Sequence, residues 1–127
     1  MLDQYAVTSQ YVCDIEDTII KTLNINITDR RVFISPGAIR HARSEHGEDF
    51  KKYFNLLPHI INGAEYCGIY PNKADCIEIV KKIDDYVTVG LKINNSSGPL
   101  SISSFYMIND GKCAARIKNG RYKEIGP

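Results

Sequence analysis

Apolar and polar residues recur at helical spacing in the first half of this 127-residue chain and alternate in the second, with the change near residue 64. The alternation predicts four strands. The first covers residues 64–70 and ends at Pro71-Asn72, and the second covers 76–83 with Ile77, Ile79 and Ile83 on one face. A turn at Asp84-Asp85 leads to the third, 86–93, where Val87, Val89, Leu91 and Ile93 oppose Thr88, Gly90 and Lys92. Residues 94–98, all Asn, Ser or Gly, read as a loop before the fourth strand, 100–108.

Upstream, Ile15, Ile19, Ile20 and Leu23 predict a short helix. Ser35 can cap a second helix, and Pro36 suits its first position because the missing N–H would have no partner there. That helix is predicted to run to about His46 and stop at Gly47. Asp49 then caps a further helical turn with Phe50, Tyr53, Phe54 and Leu57 on one side, which Pro58 closes or kinks. After Asn109-Asp110-Gly111, residues 112–118 predict a basic helix halted by Asn119-Gly120. The order implies an α+β fold: N-terminal helices packed on one face of a four-stranded antiparallel sheet, with a short C-terminal helix. Length predicts one globular unit, 33–127, behind a lead segment, 1–32, that carries the short helix.

Composition narrows the class. Hydrophobic residues at 43% and charged residues at 24% exclude a disordered, collagen-like or low-complexity chain. No apolar run reaches the roughly 18–20 residues that span a bilayer, and no basic patch precedes an apolar stretch at the N-terminus. Neither a membrane anchor nor an export signal is expected. The net charge of +1 hides an asymmetry, because residues 1–29 carry Asp3, Asp14, Glu16, Asp17 and Asp29 against Lys21 alone. The remaining basic excess permits an anionic partner such as RNA, since neutralising phosphates releases counterions, but it does not demand one. Cys13, Cys67, Cys76 and Cys113 show neither Cys-x-x-Cys spacing nor a neighbouring His at ligand spacing, and are too few for a disulfide scaffold. Buried free thiols are expected, with no structural metal and no cofactor.

Few residues can carry chemistry. His41 and His46 are five apart, about 140° around a helix axis, so they do not stack as a zinc-binding pair at i, i+4 does. His46 falls on the stripe of Ile39 at the helix end, where spacing alone favours a half-buried core or capping residue over an acid–base group. Glu78 and Lys82, with Thr88 and Lys92, lie opposite the apolar stripe and by spacing form a solvated sheet face. In Ser103-Ser104-Phe105-Tyr106, alternation puts Ser104 and Tyr106 on one face with Ile102, and Ser103 and Phe105 on the other. Either pair could face the core. Small hydroxyls beside basic strands suit a phosphodiester.

Taken in order over residues 33–125, several stretches resemble one family: Ser35-Pro36-Gly37-Ala38-Ile39-Arg40-His41, His46-Gly47-Glu48-Asp49-Phe50, Ile79-Val80-Lys81-Lys82-Ile83-Asp84-Asp85, Ser104-Phe105-Tyr106, and Arg116-Ile117-Lys118-Asn119-Gly120-Arg121. They are similar to the phage- and toxin-associated ribonucleases of the barnase/EndoU/colicin/RelE superfold. The resemblance implies an endoribonuclease, often directed at tRNA, that acts in the bacterial cytoplasm as a phage-encoded domain or as the C-terminal domain of a contact-dependent toxin. A cognate immunity or antitoxin protein is implied as a partner. Carried over by position, His41, His46, Ser104 and Tyr106 become the candidate catalytic set, with His46 as acid and base and His41 as its partner or substitute.

The implied reaction needs no metal. A base takes the ribose 2′-OH proton, the oxygen attacks phosphorus, and an acid protonates the departing 5′ oxygen. Ser104 and Tyr106 are then expected to hydrogen-bond the scissile phosphate, and Lys82, Lys92 and Arg116 to steady its charge. Lys118 and Arg121, with Lys112 and Lys123, form a looser RNA-binding patch. Two other functions fit the same residues: an RNA-binding module without catalysis, and a phage accessory protein that inhibits a host protein through the acidic segment before Arg30.

Overall fold

The computed structural model describes residues 1–94 and 97–126, so Asn95 and Ser96 of the predicted 94–98 loop lie outside the described residues. The chain enters its sheet early. β1 (Gln10–Asp14) pairs antiparallel with β2 (Arg31–Ile34), and α1 (Asp17–Leu23), the short helix predicted from the Ile and Leu spacing, lies between them. α2 (Pro36–Glu45), α3 (Gly47–Tyr53), a 3-10 turn (Phe54–Leu56) and α4 (Leu57–Asn62) follow. Next come β3 (Tyr66–Ile69), β4 (Cys76–Lys82), β5 (Tyr86–Ile93), β6 (Leu100–Ile108), α5 (Asp110–Lys118) and β7 (Lys123–Glu124).

The α+β class holds, with corrections. β3 to β6 are the predicted antiparallel meander, but β1, β2 and β7 enlarge the sheet to seven strands in the order β1-β2-β6-β5-β4-β3-β7. The parallel β2–β6 pair makes it mixed rather than antiparallel, and β1 precedes every helix. Five residues in β1 and four in β2 are too few to display a period of two, so tertiary pairing decides them.

Local signals account for the helix ends. Ser35 Oγ accepts from the Ala38 N–H at 3.1 Å, and Pro36 sits in the first turn of α2. His46 is the joint between two helices: its N–H donates to the Ala42 carbonyl at 2.9 Å, and its carbonyl accepts from the Phe50 N–H at 2.6 Å. α3 therefore starts at Gly47, ahead of the expected Asp49. Pro58 does not close a helix; it lies in the first turn of α4, where a missing N–H costs nothing.

The two sheet faces are covered differently. Ile77, Ile79, Val87, Val89, Leu91 and Phe105 pack with Ile19, Ile39, Phe50, Leu57 and Ile60 of the first four helices in the main core. α5 packs on the opposite face, where Val80, Ile108, Cys113 and Tyr122 form a second cluster with Tyr66, Tyr86 and Tyr106 against it. Helices thus cover both faces, not one. The tyrosines make this possible, because each offers an apolar ring to α5 and keeps a polar tip to be satisfied.

A bulge resolves the phase of β6. Gly90 pairs with Ser104 and Leu91 with Ile102, so Ser103 is the extra residue. Ile102 therefore joins Phe105 on the face of the main core, whereas simple alternation placed it with Ser104. A Cβ on Gly90 would collide with Ser104 Oγ and lie 3.3 Å from Ser103 Oγ, so glycine there leaves room for both hydroxyls. On β6, β2 pairs only with Leu100 and Ser101, and beyond them that edge of β6 has no strand partner among the described residues.

All four cysteines are free, and Cys13, Cys67 and Cys113 are buried. Burial, followed by the neighbouring Asp14 and Glu16, pushes the Cys13 thiol up to about 12, and burial pushes Cys67 up to about 11, from an ordinary value of 9.0. The unfolded chain loses these protons first, so the stability that these two thiols contribute is full below pH 9 and falls as pH rises toward 11 to 12. Thermal midpoints measured by circular dichroism are expected to be flat up to pH 9 and to drop above it, with a shallower drop in Cys13→Ala. Among the described residues no helix is long and apolar enough to cross a membrane.

Candidate functional site

Register builds the site. Gly68, Glu78, Gly90 and Ser104 lie side by side across β3, β4, β5 and β6, and Tyr66, Val80, Thr88 and Tyr106 form the next row. The two glycines flanking Glu78 leave a trough in the face that α5 covers. The chain after α5 runs directly over Gly68, where a Cβ would collide with the Arg121 carbonyl oxygen. Arg121 thereby reaches Glu78 with two parallel bonds, Nε to Oε1 at 2.8 Å and Nη2 to Oε2 at 3.0 Å.

The network continues from there. The Tyr106 hydroxyl donates to Glu78 Oε2 at 2.7 Å and accepts from Arg116 Nη1 at 2.9 Å. Arg116 Nη1 also donates to the Tyr122 hydroxyl at 2.6 Å. Burial and then the bond to Glu78 hold the Tyr106 phenol well above its ordinary range, so it stays a neutral donor. Arg116 has no carboxylate partner among the described residues; it rests over the Tyr106 and Tyr122 rings at 5.7 and 5.5 Å as a half-buried cation with charge to spare.

The expectation of a solvated face is overturned for Glu78 and Thr88, while Lys82 and Lys92 are exposed as expected. Glu78 is 1% exposed and Thr88 0%, and Thr88 Oγ1 has no hydrogen-bond partner among the described residues. α5 and the segment after it seal this part of the sheet, and a carboxylate can be buried there because a bidentate guanidinium neutralises it.

The histidines approach from the other side of β6. His46 is half-buried and meets Phe105 edge-on at 6.4 Å, while His41 is exposed. Both line a cavity of about 70 Å³ that Ser103, Ser104 and Tyr106 also border. A wider groove of about 490 Å³ opens beside it, lined by Tyr70, Lys73, Asp75, Cys76, Lys92 and the same two serines. The groove is within the range of roughly 300–1,000 Å³ usual for ligand sites, and the histidine cavity is not. Ser103 and Ser104 belong to both openings.

The structure thus gathers His41, His46, Ser104 and Tyr106 around one cavity, with Lys92 at the adjoining groove, although the Tyr106 hydroxyl turns to Glu78 rather than toward the imidazoles. Lys82 is not brought to Lys92. Its row, shared with Tyr86, lies six residues of β5 away, about 20 Å along the strand, and its amine is 3.8 Å from Asp110. Lys118 is exposed on α5, and Arg121 is committed to Glu78. Sequence reasoning missed Glu78, Tyr122, Gly68 and Gly90 as parts of the site. Their signal, a carboxylate with glycine on each neighbouring strand, exists only once the strands are paired.

Among the described residues, no three His, Cys, Asp or Glu side chains gather as a ligand set. What the arrangement offers is imidazole for proton transfer, serine hydroxyls, and lysines at the edge of the adjoining groove. No curated protein and no solved structure matches the chain. A family description does: residues 10–115, from β1 into α5, match the phage-Barnase-EndoU-ColicinE5/D-RelE like nuclease3 family, and the chain belongs to this family of nucleases.

Proposed function

We propose that the protein is a metal-independent endoribonuclease that cleaves tRNA. The observation behind this reading is that the histidine cavity and the lysine-edged groove share Ser103 and Ser104, so a phosphodiester held at these hydroxyls has imidazoles on one side and cations on the other. One imidazole, His46 with His41 as partner, accepts the 2′-OH proton as that oxygen attacks phosphorus. The charge of the pentacovalent intermediate is steadied by Ser104 and by the Arg116 cation, which the Tyr106 oxygen holds in place, with Lys92 holding the adjoining backbone. Protonated imidazole then returns a proton to the departing 5′ oxygen. The products are a 2′,3′-cyclic phosphate and a 5′-hydroxyl. Because such an activity harms the bacterial cell in which it acts, a toxin role with a cognate immunity protein belongs to the same reading.

The test is incubation with total tRNA in EDTA. The expected result is fragments that end in a cyclic phosphate. Cleavage that EDTA abolishes and magnesium restores would overturn the metal-free chemistry. RNA retained but uncut would mark a binding module, and RNA neither bound nor cut would favour inhibition of a host protein.

A further inference from the structure

We infer that Arg121 is a positioning residue, which orients Glu78 and through it the Tyr106 hydroxyl, and that it makes no contact with RNA. The inference rests on the functional reading above for its catalytic consequence, but its geometry stands on the chain alone. Both Glu78 oxygens are occupied, by Arg121 and Tyr106, and the carboxylate side chain is 1% exposed, so it is closed to a substrate proton. The Arg121 guanidinium is itself enclosed, with its side chain 18% exposed and its central carbon over the Tyr70 ring, 4.9 Å from the ring centre. Its charge is spent on Glu78, whereas that of Arg116 is not.

The backbone around Arg121 is fastened on both sides. Gly120 turns the chain with φ of +86°, a left-handed conformation that favours glycine, and the Arg121 N–H donates to Asn119 Oδ1 at 2.9 Å. The Tyr122 N–H donates to the Arg116 carbonyl at 3.0 Å, β7 pairs with Tyr66 and Cys67, and the Ile125 N–H donates to the Glu65 carbonyl at 3.1 Å. Gly68 supplies the space in which the main chain crosses the sheet. This latch lies beyond residue 115, outside the region that the family description matches.

A bidentate fork fixes the plane of a carboxylate, which a point charge does not. Glu78 held in that plane presents Oε2 to Tyr106, so the phenolic proton is directed to Glu78 and the oxygen lone pairs to Arg116. Without Arg121 the hydroxyl is free to rotate, and Arg116 keeps the Tyr122 hydroxyl but loses one of the two acceptors that orient it.

Arg121→Lys and Arg121→Ala test this, the first keeping the charge so that a folded variant remains available. The first readout needs no RNA: in nuclear magnetic resonance the Tyr106 hydroxyl proton should be sheltered from exchange in the parent and lost in both variants. A hydroxyl signal that persists unchanged in Arg121→Ala overturns the inference. With a 2′-O-methylated, uncleavable RNA, the slope of log affinity against log salt should match the parent's; a fall of about 0.7, the share of one phosphate contact on a single strand, overturns it as well. In cleavage, kcat should drop by roughly 10² at unchanged KM, the scale expected when a reacting group is displaced by about an ångström, and an unchanged kcat contradicts the positioning role. A parent that cuts no RNA removes the functional reading and leaves the hydroxyl and salt measurements to decide this one.

Discussion

Glu78→Ala is expected to lower the free energy of unfolding by about 3–5 kcal/mol, the range found when one partner of a buried ion pair is removed. The substitution strips Arg121 of both carboxylate bonds and Tyr106 of its acceptor, in a trough that α5 and the following segment exclude from solvent. Urea denaturation reads this directly. With a slope of about 1–3 kcal/mol per molar for a small domain, the midpoint should fall by 1 M or more at unchanged slope. The exposed Lys51–Glu48 pair, 3.7 Å apart with side chains 75% and 93% exposed, is the internal control. Lys51→Ala should shift stability by no more than about 0.5 kcal/mol. A loss under about 1 kcal/mol in Glu78→Ala would show that water reaches the pair, contrary to the sealed trough.

His46→Ala is expected to lower RNA cleavage by roughly 10²–10⁴, the usual contribution of a positioned acid–base group, while the protein stays folded. The structural role of His46 is carried by its main chain, through Ala42 and Phe50, and the imidazole adds only an edge contact with Phe105. Alanine can adopt the same joint between α2 and α3. His41→Ala should be weaker if His41 serves as partner, and equal if the two share the work. Rates against a defined tRNA, with melting curves for both variants, decide it. Two variants that melt and cut like the parent would move the proton carriers elsewhere in the cavity.

Much of the fold was legible because its signals are local. β5 and β6 begin and end where alternation and turn residues place them, at Tyr86–Ile93 and Leu100–Ile108. The Ser35 cap and Pro36 opened α2 as expected, and Gly47 follows its end. The family resemblance holds over residues 33–115, and the match extends it back to residue 10, while the stretch from Arg116 to Arg121 lies beyond the match. That extension agrees with β1, whose Val12 and Cys13 are in the main core although their segment displays no period.

The candidate site was legible as a list of residues and not as an arrangement. His41, His46, Ser104 and Tyr106 do border one cavity, yet the bulge at Ser103, which aims the serines, depends on how β6 registers with β5. Lys82 and Lys92 read as members of one solvated face, and the strand register sets them at opposite ends of it.

The sequence by itself determined the elements whose cause lies within a few residues: strand alternation, helix caps, turns, and the supply of imidazole, hydroxyl and cation to a basic body. Only the tertiary structure decided which polar groups are buried and which meet. Glu78 looks like a surface residue until glycines on both neighbouring strands, and an arginine 43 residues downstream, enclose it and balance its charge. Propensity acts over neighbours in the chain, whereas the cost of burying a charge is set by whatever folds on top of it.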